Sequence, residues 1–584
     1  MIAKSEAKNC QNCKKDFIVE PEDFDFYEKM KVPPPTFCPE CRMKRRFAWR
    51  NEHNLYRRKD DLTGKEIFSG LPPAAPVKVY EKEYWISDAW NSLTYGRPYD
   101  FSRSFFEQFK ELAYAVPWPS RSVQKTVNSD YLDQAGNIKN CYLCFSIDQS
   151  EDSSYVVRAL EIRNSLDLLQ STNDELCYEG ISLSGCYQAF FSEDCDNSID
   201  IWFSKNLVGC NHCFGSANLR NAQYYFFNEK LSKEEYEKRF KELNLHSYQA
   251  LTKVAVRAKN HILNFPVKYF NGLRAVDSTG EYLRNTKNVK KSFFIEEGQN
   301  IKYSQNVYGG SQDSYDHTIW GNDSSLIYES LTCGEQINNL KFCFDCWPSC
   351  RDLEYCISCR SSSNLFGCVG LQKKQYCIFN VQYSKEEYFA LREKIIKQMA
   401  EMPYRNAKGI TYSYGEFFPE EFSPFVYNET QLIDIYPLTK EEAIAKGYSW
   451  REPELKEYQT TILASNLPDV ILQTPETILK ELIQCETCKR AYRITQSEFD
   501  FLKKMGIPLP RSCFNCRLAV RFVKLNKPLY YHRQCICMNG GRVYKNANAH
   551  SHGEKPCPNE FETSYAPDCP EIIYCEQCYQ AEVV

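Results

Sequence analysis

From about residue 128 the chain alternates short apolar runs with polar corners. Segments beginning NSDYLD, NCYLCF, DSSYVV, NSLDLL, ELCYEG, GCYQAF, NSIDIW, GCNHCF and NAQYYF recur at steps of about 12 residues. Each is a brief aromatic or β-branched run that follows Asn, Asp or Gly and ends in a polar turn, a strand–turn–strand signal. Small polar residues at a fixed step suit stacked corners. The pattern therefore predicts a parallel β-solenoid, with paired steps giving coils of about 23 residues. An antiparallel β-sandwich is the alternative, and the regular step favours the solenoid.

A second array is expected from about Asn288 to Asn380, through KNVKKSFF, QNIKYSQN, NNLKFCFDC, RDLEYCISC and SNLFGCVG. Both arrays end alike, in QYYFFNEKLSKEEYEKRFKEL at 223–243 and QYCIFNVQYSKEEYFALREKI at 375–395, an offset of 152. Ser232 with Glu235, and Ser384 with Glu387, read as capping boxes. Tyr236, Phe240 and Leu243 then form one apolar stripe, and Tyr388, Leu391 and Ile395 another, so each array should finish in a helix that covers its open edge.

Outside the arrays the informative feature is a duplicated cysteine frame. Cys10, Cys13, Cys38 and Cys41 form C-x2-C-x24-C-x2-C, and Cys485, Cys488, Cys513 and Cys516 repeat it at an offset of 475. Phe24-Asp25-Phe26 matches Phe499-Asp500-Phe501, Lys29-Met30 matches Lys504-Met505, and Pro33 and Pro35 match Pro508 and Pro510. Four soft thiolates on two knuckles suit a tetrahedral zinc ion, closed to substrate. The helical sequences RMKRRFAWR and RLAVRFVK follow the second knuckle, as in a treble clef. Arg42, Arg46 and Arg50 then share one helix face, and Arg517, Arg521 and Lys524 repeat it. These six are candidate nucleic-acid contacts. The alternative is that they offset the charge of a Zn(Cys)4 centre.

The tail adds a third module. Cys535 and Cys537, with Cys575 and Cys578, give CxC…CxxC, a candidate zinc ribbon, with His550, His552, Cys557 and Cys569 as other donors nearby. The duplication continues, since Tyr56 and Arg58 match Tyr531 and Arg533. That places Asp60 and Leu62 at the positions of Cys535 and Cys537, and VYEKEYW against IYCEQCY places Glu81 and Tyr84 at those of Cys575 and Cys578. The N-terminal copy should be metal-free, and the chain should carry about three structural zinc ions.

Composition narrows the function classes. A charged fraction of 25% and a hydrophobic fraction of 43% are ordinary for a folded protein, and 584 residues imply several domains. A net charge of −4 offers nucleic acid no general attraction. The first ten residues, MIAKSEAKNC, lack the apolar core of an export signal, and no apolar run reaches membrane-spanning length. A cytoplasmic location is expected, with the 29 cysteines as thiols or ligands rather than disulfides. Fifteen lie in the arrays. Cys343, Cys346, Cys356 and Cys359 have the look of a further quartet, yet Cys333, Cys356 and Cys377 recur at nearly one coil, which stacked apolar thiols in a narrow core explain without metal.

The paired CxxC frames, SPFVYNET and the ending YAPDCPEIIYCEQCYQAEVV together resemble a family of uncharacterised zinc-ribbon proteins of candidate-phyla-radiation bacteria (Patescibacteria). The resemblance implies a bacterial cytosolic protein, and Arg often replaces Cys569 in that family. Some relatives carry an acyl-CoA transferase label of the carnitine/bile-acid type, which no residues here support.

The expected division is a treble-clef zinc module at 1–56, a metal-free ribbon and connection at 57–127, the first array at 128–230 and a helical connection at 231–287. The second array at 288–383, a capping helix and extended connection at 384–484, the second treble clef at 485–528 and the terminal ribbon at 529–584 complete it. The fold class is mostly β. The function expected is a non-catalytic zinc-binding scaffold for RNA, a ribonucleoprotein or a protein partner. The alternatives are a β-solenoid enzyme, carbohydrate-active or acyl-transferring, and a purely structural assembly protein. Asp313, Asp316, His317 and Asp345 are acid–base candidates for the enzyme, although turn carboxylates explain them as well.

Overall fold

Three residues are enough for one side of a coil in this protein. In the computed structural model, which describes residues 4–452, 458–538 and 544–583, strands of the first array pair in parallel, Val157 opposite Leu169 and Ile199 opposite Asn211. The register of 12 makes one coil 12 residues long, not the paired 23 expected above. The reason lies in the backbone. Between Lys125 and Phe227 nearly every third residue has a left-handed conformation, among them Asn128, Asn137, Asn140, Asp152, Asn164, Asp167 and Asn173. Each such residue turns the chain, so four three-residue sides close a coil. Asn and Asp tolerate this conformation better than other non-glycine residues, which explains the polar residues at the corners.

The interior follows the same period of three. Cys141, Cys144 and Ile147 on successive sides, and Val156, Ala159 and Ile162 in the next coil, are buried at inward positions. Serines at other inward positions each do two jobs. Ser150 Oγ donates to the Asp148 carbonyl at 2.8 Å and accepts from Ile162 N, one coil on, at 2.9 Å. Ser165 does the same with Arg163 O and Cys177 N. Cysteine takes the same role, for Cys177 Sγ donates to Glu175 O at 3.3 Å and accepts from Ala189 N at 3.4 Å. Burial pushes the Cys177 and Cys195 thiols well above the usual range. The core mixes aliphatic side chains with thiols, and at the serine and cysteine positions a small group that also satisfies backbone atoms fits best.

The second array contributes to a sheet running from Gly272–Val276 to Val381–Gln382. Its registers mix 12 and 13 residues, as in Gly280 opposite Ser292 and Gln312 opposite Ser325. Each array closes with an antiparallel return strand, Glu229–Lys230 or Val381–Gln382, and then a helix, Lys233–Glu242 or Lys385–Glu401. Ser384 and Glu387 form the complete capping box, whereas Ser232 caps its helix by accepting from Glu235 N alone.

The chain divides into two compact units, one of Met1–Arg121 with Phe270–Arg451, the other of Ser122–Tyr269 with Glu452–Val584. The duplicated ends are therefore exchanged along the chain. The N-terminal cysteine module folds with the second array, and the C-terminal modules fold with the first. The fold is mostly β, with β-solenoids and cysteine clusters near the termini. Among the described residues no helix is long and apolar enough to cross a membrane.

Candidate metal centres and the buried arginine lock

The first cysteine frame forms around a short hairpin, Glu6–Asn9 with Asp16–Val19. Its turn carries Cys10 and Cys13 and passes through Lys14 in the left-handed region. The helix Pro39–Phe47 starts at the second knuckle, with Cys38 at its N-cap and Cys41 in its first turn. All four Sγ atoms lie within 4.8 Å of one another. Cys13 and Cys38 stand 3.7 Å apart, and Cys38 N donates to Cys10 Sγ at 3.3 Å. Metal–sulfur bonds of about 2.3 Å give a tetrahedron with edges of about 3.8 Å, so the spacing suits one ion. Cys485, Cys488, Cys513 and Cys516 repeat the arrangement, with separations of 3.7 Å for Cys488–Cys513 and 3.8 Å for Cys485–Cys516. Hydrogen bonds favour the thiolate form at one cysteine of each frame. Those from the Cys38 and Cys41 thiols draw Cys10 far down. Burial pushes Cys485 up, but the backbone N–H groups of Cys488, Cys513 and Thr487 outweigh it and bring the thiol to about 6.

The basic helix faces do not look outward. Arg42 and Arg46 are at most 1% exposed and Arg50 is buried too. Arg42 Nε donates to Asp316 Oδ2 at 2.9 Å, while Arg46 Nη1 reaches Asp316 at 3.1 Å and Glu329 at 3.2 Å. Arg45, which the sequence pattern did not single out, bridges Glu329 and Glu416, the latter at 2.9 Å. Arg50 donates to Thr332 Oγ1 at 3.1 Å. Burial pushes the Glu329 carboxyl up against the pull of Arg45 and Arg46. Phe26 stacks on Tyr315 with centroids 3.8 Å apart, so the Phe-Asp-Phe strip packs beside the same ion pairs.

The other unit repeats this lock. Arg521 pairs with Asp167 at 2.6 Å and Glu179 at 2.8 Å; Arg517 pairs with Asp167 at 3.0 Å and Glu498 at 3.1 Å. Lys524, partly exposed, reaches Glu193 at 2.9 Å. In both arrays the acceptors are an Asp and, one coil later, a Glu, all four at left-handed corners: Asp316 and Glu329, Asp167 and Glu179. Arginines one helical turn apart, about 6 Å, face carboxylates one coil apart, about 4.8 Å. The expected phosphate-facing surface is thus an internal ion-pair interface. Its acceptors were invisible as a set because they lie about 270 residues away from Arg42 and Arg46.

The other acid–base candidates are also held in place. Asp316 belongs to the lock, and Asp313 binds Lys29 at 3.1 Å and Asn300 at 2.8 Å. Asp345 binds Arg360 at 2.7 Å. His317 lies inside the array, its Nε2 donating to Cys333 O at 2.9 Å, and burial pushes its ring down to about 4.

The C-terminal module corrects the simple CxC…CxxC quartet. Two overlapping foursomes converge there, Cys535, Cys557, Cys575 and Cys578, and Cys537, His552, Cys557 and Cys578. Cys557 and His552 therefore join the groups that could hold metal, and Cys535 and Cys537 fall in different sets. His550 instead faces Glu582 at 3.0 Å, and Cys569 accepts from Arg533 at 3.2 Å away from both sets. Cys575 N donates to Cys535 Sγ at 3.2 Å. In the N-terminal copy the matching amide, Glu81 N, donates to Asp60 Oδ1 at 3.3 Å, and Asp60 also accepts from Leu62 N and Thr63 N. A carboxylate closes that turn where a cysteine sulfur closes its counterpart.

No protein-family model and no curated protein matches this chain. A putative acetyltransferase from Desulfovibrio desulfuricans G20 aligns over 51% of this chain and 84% of its own, at 9% identity and a TM-score of 0.10. That score is too low to carry an argument about fold or activity. The cysteine groups could hold metal ions, and that capacity is what the geometry establishes.

Proposed function

We propose that the chain is a non-catalytic scaffold in which structural zinc ions fix the end modules, each module being locked to a solenoid. The carrying observation is that every metal-ready group offers four protein donors. A tetrahedral ion would then have no position left for water or substrate, as in structural zinc sites. The helix leaving each CxxC pair spends its arginines on buried carboxylates, so metal binding and module docking are joined in one short element. With those arginines internal and a net charge of −4, a protein partner fits the outer surfaces better than nucleic acid. Elemental analysis of the purified full chain, read with its A260/A280 ratio, tests both parts. Zinc at three or more per chain and a protein-only absorbance ratio are expected. Zinc at one or fewer overturns the metal assignment, and stoichiometric copurified RNA overturns the partner class.

A further inference from the structure

We propose that the C-terminal module holds two metal ions rather than one, as a binuclear thiolate cluster bridged by Cys557 and Cys578. This rests on the zinc reading above and adds an ion to it. The two foursomes share those two cysteines, so Cys535 and Cys575 would complete one tetrahedron while Cys537 and His552 complete the other. The distances match two tetrahedra with a common edge. Cys557 and Cys578 Sγ lie 3.7 Å apart along that edge, and Cys557 to Cys575 is 3.9 Å. On the second side His552 Nε2 lies 3.3 Å from Cys537 Sγ and 3.4 Å from Cys578 Sγ. Bonds of about 2.3 Å to sulfur and about 2.0 Å to nitrogen give a sulfur–nitrogen edge of about 3.5 Å.

An independent feature points the same way. His552 Nδ1 lies 2.7 Å from the Lys555 carbonyl, which can only accept, so Nδ1 carries the proton. Nε2 is left with a lone pair aimed between two thiols, the orientation that a backbone carbonyl imposes on a metal-bound histidine. A single ion on Cys535, Cys557, Cys575 and Cys578 would leave Cys537 and this lone pair unused beside two thiolates. Charge favours the pair as well. Five thiolates with two divalent ions sum to −1, against −2 for one ion on four thiolates with Cys537 left as a thiol. The ligand class is a zinc-type divalent ion that accepts mixed sulfur and nitrogen donors.

The test is cadmium-113 NMR on the intact chain loaded with cadmium, backed by elemental analysis of the zinc form. Four resonances are expected, three from all-sulfur shells and one from a shell of three sulfurs and one nitrogen, with two of the four mutually coupled through the bridging thiolates. His552→Ala should reduce four metals to three and remove the mixed-donor resonance. His552→Cys should keep four and turn that resonance into an all-sulfur one. Cys343→Ser with Cys346→Ser in the second array should leave all four, excluding the array as the source of the extra ion. Three resonances, uncoupled and unmoved by His552→Ala, would overturn the cluster while leaving one ion per module. One metal or fewer per chain would instead overturn the zinc reading on which it rests.

Discussion

The two units build the same joint with different closures. Each packs a CxxC module on a solenoid through arginines one helical turn apart and an Asp–Glu pair one coil apart. In the N-terminal unit a third arginine, Arg45, and a third carboxylate, Glu416, join the buried ion pairs, and Arg50 is buried near them against Thr332. The C-terminal unit has two buried arginines against Asp167, Glu179 and Glu498, with Lys524 partly exposed at the edge. The difference extends to the ribbons beside them, where Asp60 and local hydrogen bonds stand in one unit for the cysteine cluster of the other. A turn can thus be closed by a carboxylate accepting backbone N–H groups or by a cysteine sulfur of a group that could hold a metal ion. The joint to the solenoid is retained in both.

The largest effect should come from removing metal. Structural zinc binding in small modules is coupled to about 10–16 kcal/mol of folding free energy. Cys513→Ser should unfold the C-terminal treble clef and expose its amides to hydrogen exchange, while the β signal of the solenoids persists because each coil stacks on its neighbours. Cys38→Ser should do the same at the other end. Complete loss of the β signal in either variant would show that the solenoids depend on the metal modules.

Breaking the lock should rank next. Asp316→Ala leaves Arg42 and Arg46 buried with too few partners and should cost about 3–5 kcal/mol in the N-terminal unit. Asp167→Ala should have a comparable effect in the other unit, a little weaker because its lock is more open to solvent. Local hydrogen exchange of residues 39–47 and 514–524 distinguishes the two. Equal stability of wild type and Asp316→Ala would remove the ion pairs from the account of docking.

Asp60→Ala sharpens the contrast between the ribbons. It removes an acceptor for three backbone amides, and a loss of about 1–3 kcal/mol is expected, confined to the 56–81 segment. Zinc content should not change, which elemental analysis checks. A fall in bound metal would place an ion at this turn after all.

The smallest effect is expected inside the coils. Cys177→Ser should shift stability by less than about 1 kcal/mol, because neighbouring serines make the same two backbone hydrogen bonds from the same inward position. Cys177→Leu should cost more by overpacking, about 1–3 kcal/mol. Thermal unfolding of the two variants side by side tests whether size or thiol chemistry decides this position.

Local spacing determined a good deal on its own. The C-x2-C knuckles, the 475-residue duplication and the 12-residue step were legible, since a knuckle and a coil corner are each made by residues close in sequence. Even there aromatic residues on the outer positions mask the inward period of three, so the spacing predicts a coil of about twice the true length. Tertiary structure alone decided that each end module sits on the array distant from it in the chain. It also placed Arg42, Arg46, Arg517 and Arg521 against internal carboxylates, and brought Cys557 and His552 into the groups that could hold metal. A basic helix face reads the same whether its partner is a phosphate or an Asp hundreds of residues away. Only the packing that removes it from water decides which charge it meets.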